Sequence, residues 1–130
     1  LRLKKYNFAL RKRNLIASVY DKELRSINQL KIPQKKNKNY NAYHQYVIKT
    51  DKRNELQNFL KLKKIDTMIH YPYMLSELKI FQNSKGIKTL KNSKNLGKKI
   101  LSLPISEEHS LKEIYYITQQ IKFFFKKKDE

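Results

Sequence analysis

The chain contains no cysteine and no tryptophan, and it has only 2 glycines and 3 prolines among its 130 residues. The absence of cysteine excludes a disulfide framework, thiol catalysis and any zinc or iron–sulfur site that cysteine would hold. No apolar run approaches the ~18 residues that a membrane-spanning helix needs. We therefore expect a cytoplasmic protein with no membrane partner, and one domain, since this length suits a single hydrophobic core.

Acidic residues are also scarce, because 30 Lys and Arg stand against 11 Asp and Glu and give a formal net charge of +19. Such a balance favours polyanionic partners, so a basic nucleic-acid-binding module is one alternative function. However, 25 of the 30 basic residues are Lys, whereas base and phosphate recognition relies mainly on the forked guanidinium of Arg. The aromatic residues that could stack on bases follow apolar helical stripes and are expected in the core: Tyr6, Tyr20, Phe59 and Phe124. We expect no specific nucleic-acid partner.

Three helices are predicted from apolar periodicity and from end signals. Apolar residues recur at steps of three and four over residues 3–27, which is typical of one face of a long helix. Asp51 is placed to cap a second helix that runs to about Lys64. The pair Ser110 and Glu113 has capping-box spacing and predicts the start of the last helix.

Three short strands are predicted where β-branched and aromatic residues cluster between polar or proline-containing stretches: Tyr43–Lys49, Ile65–His70 and Ile100–Pro104. The polar segment Pro33–Asn41 is interpreted as a loop, and Lys79–Lys99 as a loop that holds one short helix. The resulting order is helix, strand, helix, strand, irregular stretch, strand, helix. It predicts an α/β (α+β-like) domain with a long N-terminal helix, in which helices pack on one face of a short, mostly antiparallel sheet.

The residues that carry chemistry form no complete active site in this sequence. The three histidines, His44, His70 and His109, match no compact metal-ligand spacing, so no metal site is expected. The two glycines, Gly86 and Gly97, stand alone rather than in a phosphate-binding loop. His109 is expected to be solvated, and His44 is either a structural strand residue or a ligand contact. His70 lies at a predicted strand end beside a loop, where binding sites are often built.

Four segments occur in a specific order and at specific separations: Tyr43–Thr50, Lys52–Leu60, Ile65–Pro72 and Ile100–Ile105. Their succession closely resembles the C-terminal part of the DegT/DnrJ/StrS family of pyridoxal-phosphate-dependent sugar aminotransferases. The resemblance covers nearly the whole chain, from about residue 1 to residue 125. It implies the small C-terminal domain of a fold type I aminotransferase, with residues 1–30 as a connecting helix and residues 31–130 as the domain itself.

The resemblance also implies a reaction and a set of partners. In such enzymes an amino group, usually from glutamate, is transferred to a keto group on a nucleotide-linked sugar, and a homodimer is the expected assembly. Pyridoxal phosphate and the Schiff-base lysine belong to a large domain, which we expect to be missing here or separately encoded. The first residue, Leu1, also suggests a piece of a longer protein. The chain by itself is thus expected to be inactive, with a non-catalytic remnant as an alternative.

For individual residues the resemblance implies contacts with substrate, and none with cofactor or metal. His70 matches a position near the substrate side of the cleft, Tyr71 and His44 are further substrate-binding candidates, and no residue is assigned a catalytic role. After Pro72 the family usually has another proline and then a histidine, whereas this chain continues with Tyr73–Ser76. Without the large domain, the apolar stripe of residues 3–27 is expected to be exposed, which would leave the chain marginally stable or self-associated.

Overall fold

The computed structural model describes residues 2–34, 41–81 and 90–127. Its regular elements are helix α1 (Tyr6–Leu24), strand β1 (Tyr46–Lys49), helix α2 (Arg53–Leu62), helix α3 (Lys91–Gly97), strand β2 (Ile100–Leu103) and helix α4 (Leu111–Lys126). Short 3₁₀ turns occur at Arg2–Lys5, Leu75–Glu77 and Lys79–Phe81. The predicted α/β small domain with a long N-terminal helix is confirmed. Parts of the two predicted loops, at residues 35–40 and 82–89, lie outside the described residues.

The two strands form an antiparallel pair in which Tyr46 lies opposite Leu103 and Lys49 lies opposite Ile100. Single bridges extend this pair at both edges, with Lys31 beside Lys49 and Met68 beside Ser102. Lys31 and Lys49 exchange two backbone hydrogen bonds of 2.8 Å. The sheet therefore runs from residue 31 through β1 and β2 to residue 68.

The prediction of a full strand at Ile65–His70 is wrong in extent, because only Met68 pairs with β2. At one end the Ile65 amide still donates to the Leu60 carbonyl, which ties the segment to the end of α2. At the other end Tyr71 has a left-handed φ of 57°, which turns the chain away from the sheet. The first strand is also shorter than predicted, since it begins at Tyr46.

The expected N-cap of α2 is also wrong. The helix begins after Lys52, and no side-chain hydrogen bond caps it. Asp51 forms an ion pair with Lys99 instead, and this contact lowers the pKa of the Asp51 carboxyl. The Lys52 amide donates to Thr50 Oγ1 at 3.2 Å, so the turn before α2 is held by a threonine hydroxyl rather than by the carboxylate.

The sheet presents two faces that differ in environment, because successive strand residues point to opposite sides. Its inner face consists of Tyr46, Ile48, Leu101 and Leu103, which are all buried. These residues belong to one core cluster with apolar side chains from three helices: Ile16, Tyr20, Leu24, Leu56, Leu60, Ile114 and Ile121. Its outer face consists of Val47, Lys49, Ile100 and Ser102, of which only Ser102 is buried.

Helix α1 is part of this core, so the expectation of an exposed stripe over residues 3–27 is wrong for the C-terminal half of the helix. Ile16, Tyr20 and Leu24 are fully buried because α1 packs along α4. The Tyr46 hydroxyl donates to Asp21 Oδ1 at 2.7 Å, which ties α1 to the sheet. An ion pair between Glu23 and Lys122 joins α1 to α4 and lowers the pKa of Glu23.

Four aromatic residues were expected in the core, and they differ in how far the structure buries them. Tyr20 and Phe124 are buried, which leaves neither ring free to stack on a nucleic-acid base. Phe59 is partly buried, and its ring lies 5.4 Å from that of Phe124. Tyr6 is exposed at the start of α1, so its assignment to the core is wrong.

The capping box of α4 is confirmed. Ser110 Oγ accepts a hydrogen bond from the Glu113 amide at 3.2 Å, and the Ser110 amide donates to Glu113 Oε2 at 2.7 Å. The Ser110 amide and hydroxyl both donate to the Glu113 carboxylate and lower the pKa of Glu113. Within the described ranges, no helix combines the length and the apolar content that crossing a bilayer requires.

Candidate functional site

A pocket of about 240 Å³ lies where the approach to β1, the 66–70 segment and the end of β2 meet. Its polar lining consists of His44, Gln45, Asp66, Thr67, His70 and Ser102. Its apolar lining is contributed by Met68 and residues 103–105. A mixture of apolar surface and convergent polar groups is typical of a small-molecule site.

His70 is held in this pocket by the outer face of the sheet. Its Nδ1 lies 2.8 Å from Ser102 Oγ. Ser102 is only 6% exposed, and it is the β2 residue that pairs with Met68 at the sheet edge. Because the bridge at Met68 fixes the chain two residues before His70, the imidazole is brought to one position beside the serine hydroxyl.

Two of the three non-glycine residues with left-handed backbone in the described part of the chain lie beside the pocket histidines, and the third, Lys64, follows α2. Tyr43 has a φ of 43° and directly precedes His44, while Tyr71 has a φ of 57° and directly follows His70. Left-handed backbone costs energy in bulky residues, and it persists only where surrounding contacts hold it. At Tyr43 these contacts include a 3.0 Å hydrogen bond from its amide to Asn41 Oδ1. Strain of this kind occurs often at binding sites.

The structure brings together two of the three substrate-binding candidates. His44 and His70 line the same pocket. Tyr71 is not among the lining residues, and its side chain is 78% exposed. His109 lies in the turn before α4 and is half-buried. In the described part of the chain, no cluster of three His, Asp or Glu side chains is arranged to hold a metal ion.

Ser102 is the pocket residue that reasoning from sequence missed. It interrupts the apolar run of β2 on the face opposite to Leu101 and Leu103. A polar residue inside an otherwise apolar strand is therefore the signal that could have identified it. The sequence around Asp66 and Gln45 has no comparable pattern that would mark them as pocket residues.

Comparison with solved structures defines the class of domain. A DegT/DnrJ/EryC1/StrS aminotransferase from Brucella abortus is 25% identical to this chain and matches it with a TM-score of 0.84, over 95% of this chain and 33% of that chain. DesV from S. venezuelae, solved with a ketimine intermediate, is 21% identical with a TM-score of 0.88, over 95% of this chain and 33% of that chain. PseC from Helicobacter pylori, an aminotransferase of pseudoaminic acid biosynthesis, is 20% identical with a TM-score of 0.84, over 96% of this chain and 35% of that chain. The fold is an α/β small domain of the aminotransferase type.

The family model for DegT/DnrJ/EryC1/StrS aminotransferases matches residues 1–122. The chain belongs to this family. A curated relative, named a pleiotropic regulatory protein of Geobacillus stearothermophilus, is 37% identical over 89 residues, which is 67% of this chain and 24% of that protein. The chain thus spans about a quarter of this relative and about a third of the solved structures.

The family implies pyridoxal phosphate as the cofactor. A pyridoxal-phosphate site requires a lysine amine and a charged side chain beside the pyridine nitrogen of the cofactor. The pocket that contains His44 and His70 has no lysine in its lining, and its one carboxylate, Asp66, is exposed. These residues do not fit the cofactor.

Proposed function

We propose that this chain is the small C-terminal domain of a pyridoxal-phosphate-dependent sugar aminotransferase and that it forms the substrate side of the active-site cleft. The observation that supports this role is the convergence of His44 and His70 on one pocket beside Ser102. The cofactor and the lysine that binds it belong to a large domain. The isolated chain is therefore inactive.

The substrate is a nucleotide-linked keto sugar, and glutamate is the amino donor. The pocket offers imidazole, amide and hydroxyl groups around a partly apolar lining, which suits a sugar ring with its hydroxyl groups. The formal charge of +19 favours the approach of a diphosphate. His70 and His44 contact the sugar or its phosphates, and Tyr71 contacts the same ligand when the cleft is closed.

The segment that follows His70 supports the proposal of a large-domain partner. Tyr71, Tyr73, Leu75 and Ile80 all expose most of their side-chain surface. Large apolar side chains exposed close together along the chain are consistent with an interaction surface. Because the solved relatives are about three times as long as this chain, the large domain is the occupant that we propose. The complete enzyme is a homodimer in the cytoplasm.

A chimeric enzyme tests this function. The corresponding third of the Brucella abortus aminotransferase is replaced by this chain, and amino transfer from glutamate to uridine-diphosphate-linked keto sugars is measured. We expect turnover that depends on added pyridoxal phosphate. Substitution His70→Ala is expected to raise KM for the sugar by at least about tenfold, as expected for a lost contact to a charged group.

The matched control is His109→Ala, because His109 lies in the turn before α4 and is not among the pocket residues. This variant is expected to leave KM unchanged. A folded chimera that binds the cofactor but transfers no amino group would contradict the proposed role and would favour a non-catalytic remnant. An unchanged KM in the His70→Ala chimera would remove His70 from the substrate site.

A further inference from the structure

The direction of the hydrogen bond between Ser102 and His70 depends on the imidazole tautomer, and the other hydrogen bonds of Ser102 bear on it. Both backbone polar groups of Ser102 are occupied, since its amide donates to the Met68 carbonyl at 2.8 Å and its carbonyl accepts from the Met68 amide at 3.1 Å. The hydroxyl is then the remaining polar group of a residue that is 6% exposed. The partner that the structure gives it is His70 Nδ1 at 2.8 Å.

A hydroxyl proton on a residue this buried needs an acceptor, because leaving it unpaired is destabilising. A neutral imidazole offers one acceptor nitrogen and one donor nitrogen. We propose that Ser102 donates its hydroxyl proton to His70 Nδ1 and thereby holds His70 in the tautomer that carries its proton on Nε2. Ser102 is a positioning residue for His70 in this pocket.

This tautomer determines what His70 offers to a ligand. Its Nε2–H is a donor, so it pairs with an acceptor oxygen such as a phosphate or hydroxyl oxygen of a bound sugar nucleotide. The opposite tautomer would present a lone pair at Nε2 and would repel a phosphate oxygen. The identity of the ligand rests on the proposed function, whereas the tautomer itself does not.

Nitrogen NMR of the histidine side chains tests the tautomer in the unliganded chain. Spectra are recorded at about pH 8.5, above the range in which histidines usually titrate. We expect an excess of about tenfold for the Nε2–H form of His70, which is the effect of about one net hydrogen bond. A majority of the Nδ1–H form would overturn the proposal.

Variants separate this positioning role from a general structural role. Substitution Ser102→Ala is expected to lower the His70 tautomer excess by about threefold or more, while Ser102→Thr retains a hydroxyl and preserves the excess. The matched control is Ser18→Ala, because the Ser18 hydroxyl donates to the Leu15 carbonyl on the exposed side of α1 and Ser18 does not line the pocket. An unchanged tautomer ratio in folded Ser102→Ala would overturn the proposal. If that variant does not fold, the tautomer ratio measured in the wild-type chain tests the proposal by itself.

Kinetics in the chimera then distinguish this inference from the proposed function. Ser102→Ala is expected to raise KM for the sugar nucleotide about fivefold with little change in kcat, and Ser102→Thr is expected to restore it. A correct tautomer in a chimera that transfers no amino group would refute the proposed function alone. Normal turnover with an unchanged KM in Ser102→Ala would refute the positioning role alone.

Discussion

The two faces of the small sheet, each formed by four of the eight residues of β1 and β2, have different roles. The inner face, Tyr46 with Ile48, Leu101 and Leu103, is buried against three helices. The outer face has one buried residue, Ser102, which lies against irregular backbone at Met68 and His70 rather than against a helix. Regular packing thus stabilises one side, and strained, hydrogen-bonded loops build a pocket on the other.

This difference indicates how stability and binding are separated in the domain. Apolar burial on the inner face contributes most of the folding free energy that the sheet provides. The outer face holds polar groups whose positions depend on neighbouring turns, and two of these turns have left-handed backbone. Substitutions on the inner face should therefore affect unfolding, and substitutions on the outer face should affect the site.

The largest expected effect compares neighbouring residues of β2. Leu101→Ala removes a fully buried inner-face side chain and is expected to lower the free energy of unfolding by about 3 kcal/mol. Ile100→Ala, on the half-buried outer face, is expected to cost about 1 kcal/mol. Urea unfolding followed by circular dichroism measures both. Equal losses would contradict the division between the two faces.

A smaller effect is expected from the hydroxyl groups beneath the inner face. Tyr46→Phe removes the hydrogen bond to the Asp21 carboxylate and is expected to cost about 2 kcal/mol, because bonds to charged groups are the stronger ones. Tyr20→Phe removes a 2.8 Å bond to the neutral Pro104 carbonyl and is expected to cost about 1 kcal/mol. Both are measured by urea unfolding at neutral pH. A reversed order would show that the link between α1 and the sheet does not depend on the carboxylate.

The smallest expected effect is on the pH dependence of stability and concerns Asp51. This residue lies at the end of the sheet where Lys49 is on the outer face. Lys99, followed by Lys49 and Lys31, lowers the pKa of Asp51 in the folded chain. A lowered folded pKa gives stability that is present above the ordinary aspartate value of about 3.9 and is lost as pH falls through the folded value. Urea midpoints measured from about pH 6 to about pH 3 should therefore decline less steeply in Asp51→Asn. The control is Glu108→Gln, because Glu108 is exposed in the turn before α4. The urea midpoints of this variant should decline with pH as steeply as those of the wild type.

Local signals identified the helices better than the sheet edge. Apolar spacing located α1 and α4, and the capping box located the start of α4 at Ser110. The same kind of local reasoning failed at Asp51, because a lysine distant in sequence, Lys99, binds the carboxylate instead. It also overestimated the strand at residues 65–70, since composition does not report that Leu60 and Tyr71 bend the chain at both ends.

The residues of the candidate site could be named only in part from the sequence. The resemblance to the family implied His44 and His70 as substrate-binding candidates, and the pocket that joins them depends on the pairing of Met68 with Ser102. The family match over residues 1–122 agrees with the resemblance that those segments carried. The role of Ser102 could not be derived from spacing, because its partner lies 32 residues away and meets it only across a sheet edge.

Helix periodicity and the capping box depend on residues close together in sequence, since such signals act within one or two turns of backbone. The family of the chain followed from the order and separation of four segments along the sequence. The tertiary structure determined that Asp51 pairs with Lys99 and that His70 contacts the outer face of β2 at Ser102. It also determined that α1 packs its apolar stripe along α4. These outcomes depend on contacts between distant segments, whose geometry is set by packing of the whole core rather than by any local pattern.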